Sequence, residues 1–267
     1  ANKQSYIIFV VRDDAREADI AFQLPVTTYQ AYNFWGGKSS YDWGSGGIEP
    51  WGATSGNAAS KLSFNRPYAG STNPVVAYGI GAGEFLANVQ PVAQGYPISS
   101  AGWDYNMVRW LEKEGYDVSY ITNIDTHQSP ELLHNFKVFL SVGHDEYWSW
   151  QMRDNLESKL DSGLNLGFFS ANTIYWQVRF EADPISGDAD RVMVIYKNQN
   201  EDPIANDGDP GNDTFTTVLW RDPIVGKSED ALIGVRYFVD RVDSDIVVSH
   251  ANHPFFDNTG LNNGDRL

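Results

Sequence analysis

The chain has 267 residues, 42% of them hydrophobic and 14% aromatic, with nine Trp, no Cys and 35 acidic against 19 basic side chains, a formal charge of −16. That length suits a sizeable core, and nothing resembles a boundary linker, so a single domain over residues 1–267 is expected. The charge argues against nucleic acid and anionic membranes as partners, since both need a basic surface; the lack of cysteine excludes disulfides, thiolate metal sites and a Cys nucleophile. It leaves the compartment, cytoplasmic or exported, open. No run approaches the roughly 18 apolar residues of a membrane span. Ala1 does not begin a signal peptide, and a leader or preceding domain removed earlier is compatible with that start.

Residues 6–11 (YIIFVV) read as a buried strand, and residues 20–24 as a second, ending at Pro25. Residues 27–47 are loop-like, rich in Gly, Ser and aromatics, and place Tyr29, Tyr32, Trp35, Tyr41 and Trp43 where function tends to sit. SFNRPY at 63–68 is another such stretch. Gly79, Gly81 and Gly83 alternate without a following Lys-Ser/Thr, which argues against a nucleotide loop. From Trp103 the apolar Met107, Trp110 and Leu111 mark a helix that Gly115 ends. A strand follows at 116–122. Ser129-Pro130 starts a short helix with Leu132, Leu133 and Phe136 facing inward.

The apolar run Val138, Phe139, Leu140, Val142 predicts a central strand covered on both faces. Gly143 turns the backbone, and His144 and Glu146 occupy the turn. A helix from about Ser149 carries Met152, Leu156 and Leu160 and ends near Gly163, before a strand at 164–170. This alternation implies an α/β fold with a parallel, right-handed, doubly wound sheet. Residues 174–181 and 191–197 suggest an antiparallel, β-rich extension. The acidic stretch 198–213 lacks the ligand spacing and terminal Glu of a calcium loop and reads as solvated surface. Further strand or helix candidates lie at 218–221, 231–239 and 246–249. The chain then passes His250 and His253 to a turn-like end, as expected of a C-terminally shortened chain.

In a parallel sheet the carboxyl edge is the ligand crevice. Asp125 and His127 are expected at the end of the strand before the central one, His144 and Glu146 at the end of the central strand, and Asn172 after the next. Two His with a carboxylate would make an open Zn or ferrous site, whereas tyrosinate with carboxylate would suit a hard ferric ion. The plainer alternative is that His144 and Glu146 only cap the next helix. Ser141 and Ser149 lie outside any Gly-x-Ser-x-Gly elbow, so a serine triad is poorly supported.

SYIIFVVRDD, TTYQAYNFWGG, SFNRPY, RWLEKEGYDVSYITNID, LSVGHDEYWS and FFSANTIYW occur in this order along nearly the whole chain. Together they resemble the C-terminal domain of the N,N-dimethylformamidase large (beta) subunit family. GHDEYWS and RWLEKEGYDV carry most of the likeness. The resemblance implies a flavodoxin-like or class I glutaminase-like core, and a mononuclear Fe(III) site of two tyrosinates and one glutamate. Carried over by motif, the glutamate is Glu146 and the tyrosines are Tyr32 and Tyr68, with Tyr41 in reserve. His144 and Asn172 would line the pocket as catalytic groups, His144 moving a proton to the departing amine and Asn172 donating to the oxyanion. The function implied is an iron-dependent amidohydrolase acting on a small N-substituted, formamide-like amide. Its partners would be that small molecule, flanking domains, a small subunit or further copies of the chain. The competing reading is a non-catalytic or carbohydrate-interacting module of a secreted acidic multi-domain protein that retains the family core.

Overall fold

Four parallel strands form the main sheet of the computed structural model, which describes residues 9–33, 35–42, 45, 57–68, 103–238 and 243–267. They are β1 (Ala18–Leu24), β3 (Val118–Thr122), β4 (Phe136–Gly143) and β6 (Asn165–Ser170), in the order β3-β1-β4-β6. Taken by chain order within this sheet, the strands read 2-1-3-4, so the order reverses between β1 and β4. The registers Phe22↔Leu140 and Leu140↔Gly167 fix β4 as an interior strand. Phe22 and Phe139 are fully buried, as the apolar run of β4 predicts.

Residues 6–8 of the first predicted strand lie outside the described residues. Phe9 and Val11 are exposed and carry no strand, so the strand of the sheet is β1, the second one predicted. Gln23 is nevertheless buried, because its amide donates to Asp145 (2.7 Å) and accepts from the Thr126 hydroxyl. The loop-like start of residues 27–47 is also corrected. Helix α1 (Val26–Tyr32) is buried along almost its whole length. Its polar residues are consumed inward: Thr27 Oγ1 donates to the Tyr147 carbonyl (2.8 Å), and Thr28 Oγ1 accepts from the Glu146 amide (3.1 Å). Trp43, Gly79, Gly81 and Gly83 lie outside the described residues.

Helix α2 (Trp103–Glu114) ends at Gly115, whose φ of 78° is a left-handed cap. Helix α3 (Asn123–Gln128), not foreseen, is closed by a capping box of Thr122 and Asp125. It carries His127 as well as Asp125. Because β1 stands between β3 and β4, these two groups do not flank His144, and the two-His metal site is not assembled. A 3-10 helix at Pro130–Asn135 takes the place of the short helix after Ser129, burying Leu132 and Leu133. After β4, a short β5 (Tyr147–Ser149) precedes helix α4 (Trp150–Leu160), capped by Ser149.

A second, mixed sheet of order β2-β8-β7-β5 combines β5 with β2 (Lys61–Ser63), β7 (Trp176–Glu181) and β8 (Val192–Val194). The β7–β8 pair is antiparallel, as the sequence suggests, while β5 pairs parallel to β7. Of the later candidates, Leu219 makes one bridge to Trp176, and the described part of residues 231–239, which ends at 238, yields only the one-turn α5 (Asp230–Ile233), stopped at left-handed Gly234. The described chain divides into compact units Ala1–Arg236 and Tyr237–Leu267. The smaller unit is tied by a Val247↔Arg266 bridge and a 3-10 turn at Pro254–Phe256, which His253 caps.

Candidate functional site

Ligands of open α/β sheets bind where the strand order reverses. Here that point is between the carboxyl ends of β1 and β4. Helix α1 leaves the first and delivers Tyr32; the 144–146 turn leaves the second and delivers Glu146. Tyr32 Oη donates to Glu146 Oε2 at 3.0 Å. Tyr41 Oη donates to Tyr32 Oη at 2.6 Å and lies 3.3 Å from Glu146 Oε1. Tyr147 closes the group through a short hydrogen bond between its hydroxyl and that of Tyr41. Glu146 is only 2% exposed, and the three phenols are buried with it.

The turn is held rigid from both sides. Asp145 accepts from Gln23 on β1 (2.7 Å), Asn123 on α3 (2.9 Å) and Ser141 on β4 (2.9 Å). Its amide donates to Ser170 Oγ on β6 at 3.0 Å. The Glu146 carbonyl accepts from the amides of Tyr175 and Trp176, both at 2.9 Å. Five segments thus fix the direction of one carboxylate, the support expected around a working site. His144 is buried beside it, with Nδ1 3.6 Å from Glu146 Oε2. Asn172 follows the adjacent strand β6 with left-handed backbone (φ 49°). The last register pair, Gly143↔Ser170, brings those two turns out of the sheet side by side.

Tyr68 has different surroundings. Its phenol hydrogen-bonds Gln30 and sits by Arg66, and its ring meets Tyr29 edge-on with centroids 6.5 Å apart. Burial pushes its pKa up to about 12, against the lowering effect of Gln30 and Arg66. Of the sequence-predicted donors, the structure therefore gathers Tyr32, the reserve Tyr41 and Glu146, with His144 adjoining. It adds Tyr147, which stands in the quoted GHDEYWS motif, and Lys197, for which the sequence offers no local signal. Lys197 follows β8 in left-handed backbone (φ 60°). Its ammonium lies 3.4 Å above the Tyr41 ring and donates to the Ser40 carbonyl at 3.1 Å.

Electrostatics mark this cluster as unusual. Burial first, then the Glu146 charge, hold the phenol pKa values of Tyr32, Tyr41 and Tyr147 well above the ordinary value. Burial lowers Lys197 to about 7, although Glu146 works in the opposite direction. One buried carboxylate therefore faces three phenols and an amine whose pKa burial brings down toward neutrality. Such strongly displaced groups in one place are characteristic of functional sites. The donor set is all oxygen and hard, which suits a trivalent cation better than a soft one. Among the described residues no three His, Cys, Asp or Glu side chains form a metal-binding group, so any metal chemistry at this cluster must draw on the tyrosines.

Two other arrangements are consumed by structure. His127 Nδ1 contacts Ser149 Oγ at 2.7 Å, and its Nε2 is 3.7 Å from Asp190, a spacing like that of a serine triad. Ser149 is buried, however, and its oxygen caps α4 by accepting from Met152 N. In the acidic stretch 198–213, Asp202 is spent on Arg179 and on Thr217.

Comparison with known proteins gives a consistent picture. The family model described as "N,N-dimethylformamidase beta subunit-like, C-terminal" matches residues 1–267. The N,N-dimethylformamidase beta subunit of Alcaligenes sp is 34% identical over 76 residues, and that of Paracoccus aminophilus 33% identical over 76 residues. Each match covers 28% of this chain and 10% of the relative, so the aligned stretch spans a tenth of the curated relatives' length.

Proposed function

The chain belongs to the N,N-dimethylformamidase beta subunit-like C-terminal family, and from that premise we propose that it forms an iron-dependent amidohydrolase site for small N-substituted amides. The observation that carries the reading is the buried Tyr32–Glu146–Tyr41 hydrogen-bonded group at the reversal point of the sheet. The 2-1-3-4 order supports the reading, since it agrees with the first four strands of flavodoxin-type sheets, which bind their ligands at this crevice.

Tyr32 and Glu146 are two of the proposed donors to Fe(III). The third is a tyrosine, Tyr41 by proximity or Tyr68 by motif. A ferric ion there would supply Lewis acidity toward an amide carbonyl and toward water. The residues themselves orient and move protons. His144 passes a proton to the departing amine, since its ring adjoins Glu146. Asn172, on the neighbouring turn, donates to the oxygen that gains charge in the transition state. Lys197 balances the Glu146 charge and can release a proton near neutrality. The Tyr147 and Trp176 rings each lie 5.3 Å from its ammonium.

The test is metal content and colour of the purified protein, followed by hydrolysis of N,N-dimethylformamide and larger N-alkyl formamides. Bound iron with a visible phenolate-to-ferric band is expected, with loss of iron in Glu146→Gln and a preserved fold. Comparing Tyr41→Phe with Tyr68→Phe identifies the third donor, because only the ligand's loss alters the band strongly. A colourless, iron-free protein that hydrolyses none of these amides would overturn the assignment in favour of a non-catalytic module.

A further inference from the structure

One buried acid near the site has no place in that chemistry. Asp104, in the first turn of α2, is 4% exposed. Its Oδ2 accepts from Tyr29 Oη at 2.8 Å, and its Oδ1 has no hydrogen-bond partner among the described residues. Oδ1 lies against Gly143 so closely that a Cβ there would meet it at 2.8 Å. Gly143 is also in left-handed backbone, φ 76°. Two independent features therefore require glycine at this residue, one of them the carboxyl group itself.

The position of this contact is informative. Tyr29 and Tyr32 are three residues apart on α1 and so share a helix face. Gly143 begins the turn that presents His144 and Glu146. Asp104 thus bridges the helix bearing the proposed phenol donor and the turn bearing the proposed carboxylate donor. We propose that Asp104 is a positioning residue that clamps α1 onto the 143–146 turn, and that its ionisation loosens the Tyr32–Glu146 contact. The inference rests on the Tyr32–Glu146 site proposed above.

The direction of the effect follows from the surroundings. Among the described residues, the titratable groups facing Asp104 are the Tyr29 phenol from α1 and the Asp145 carboxyl from the turn. Burial raises Asp104 to about 7; Tyr29 lowers it, and Asp145 adds to the rise. Below that pH the carboxyl is neutral and sits quietly between helix and turn. Above it, a second negative charge is forced in beside Asp145, and separation of α1 from the turn relieves the repulsion and admits water. Proton occupancy of Asp104 therefore sets how tightly the two donors are held.

The experiment uses the full-length chain, with ferric iron affinity measured by chelator competition from pH 6 to 8.5, and the variants Asp104→Asn and Tyr29→Phe. Asn keeps the volume and an acceptor for Tyr29 but stays neutral. The wild type should lose about tenfold in affinity relative to Asp104→Asn through one ionisation near pH 7, the scale typical of residues supporting metal ligands. In Tyr29→Phe the inflection should move to higher pH, because the bond that lowers Asp104 is gone. A purely structural role would produce no such displaced inflection. Superimposable wild-type and Asp104→Asn profiles would overturn the inference. If the wild type takes up no iron, the proposed function fails instead, and backbone hydrogen exchange decides the clamp without metal. Amides of α1 and the 143–146 turn should then open about tenfold more at pH 8 than at pH 6 in wild type, after correction for intrinsic rates, and not in Asp104→Asn. Equal opening in both proteins would overturn it.

Discussion

Replacing Asp104 by Asn should stabilise the protein at neutral and alkaline pH, contrary to the usual effect of altering a buried polar residue. The folded-state pKa of about 7 lies some 3 units above the 3.8 of a free aspartate. At 1.36 kcal/mol per unit, holding this group ionised in the folded protein costs about 4 kcal/mol. Its place in the first turn of α2 favours the charge by only about 0.3–1 kcal/mol, too little to compensate. The sign is fixed by proton counts. Below pH 4 both folded and unfolded chains carry the proton, so there is no penalty. Between pH 4 and 7 the unfolded chain has lost it and the folded chain has not, so stability falls with rising pH. Above 7 both are ionised and the loss is complete. Asn cannot ionise, yet it still accepts from Tyr29. Urea unfolding from pH 4 to 8.5 should show wild type and variant converging at the acid end and the variant ahead by about 4 kcal/mol at pH 8. For a domain of this size that is roughly 10 °C in Tm. A stability difference independent of pH, or a variant weaker than wild type at pH 8, would refute the argument.

Gly143→Ala should lose at least about 2 kcal/mol, because the added methyl meets Asp104 Oδ1 at 2.8 Å and the backbone at φ 76° already disfavours a side chain; thermal melts check this. Asp202→Ala should cost about 3–5 kcal/mol in urea unfolding, since it strands the Arg179 guanidinium that donates to both carboxylate oxygens and removes the acceptor for Thr217. With a formal charge of −16, the Tm should rise between about 10 mM and 1 M salt, where the screening length falls from roughly 30 to 3 Å. A flat curve would mean that local pairs such as Lys61–Glu181 and Lys227–Asp154 already compensate the acidic surface.

The parallel sheet was legible wherever burial is achieved mainly by apolar residues. Phe139, Leu140 and Val142 mark β4, and Val118 and Ile121 mark β3, because each run is broken by no polar side chain larger than a buried serine or a tyrosine. Elements whose polar residues are satisfied from another part of the chain were not. Thr27 and Thr28 make α1 read as loop, although both hydroxyls bond the β4–β5 turn more than 110 residues away. Gln23, inside the β1 strand that the sequence did place at residues 20–24, is matched in the same way by Asp145 and Thr126. The short β5 falls within a stretch that reads as a turn leading straight into a helix. Local patterns register propensity and hydrophobicity; they do not register a hydrogen-bond partner contributed from a distance.

The same distinction governs the site. Glu146 and His144 could be singled out because a glycine turn after a buried strand implies a carboxyl edge, and the sheet order then supplies their neighbours. The sequence placed β3 next to β4 on chain order alone, which would have put His127 and Asp125 in the crevice. Insertion of β1 between those strands removes both and admits α1 with Tyr32. Tyr41 and Tyr68 both stand in aromatic-rich stretches, and a motif reports order along the chain without reporting that the Tyr41 phenol is the one beside Glu146. Lys197 is the extreme case: it lies 51 residues beyond Glu146 and reaches the cluster because the β7–β8 pairing folds the second sheet back over Tyr41. A buried lysine with a pKa near 7 above a phenol ring is a property of three segments packed together, and no window of sequence contains all three. The separation also has a mechanical consequence. A site assembled from α1, the β4–β5 turn and the β8 exit has its geometry set by contacts between elements, so residues such as Asp104 and Asp145 can govern it without facing a substrate.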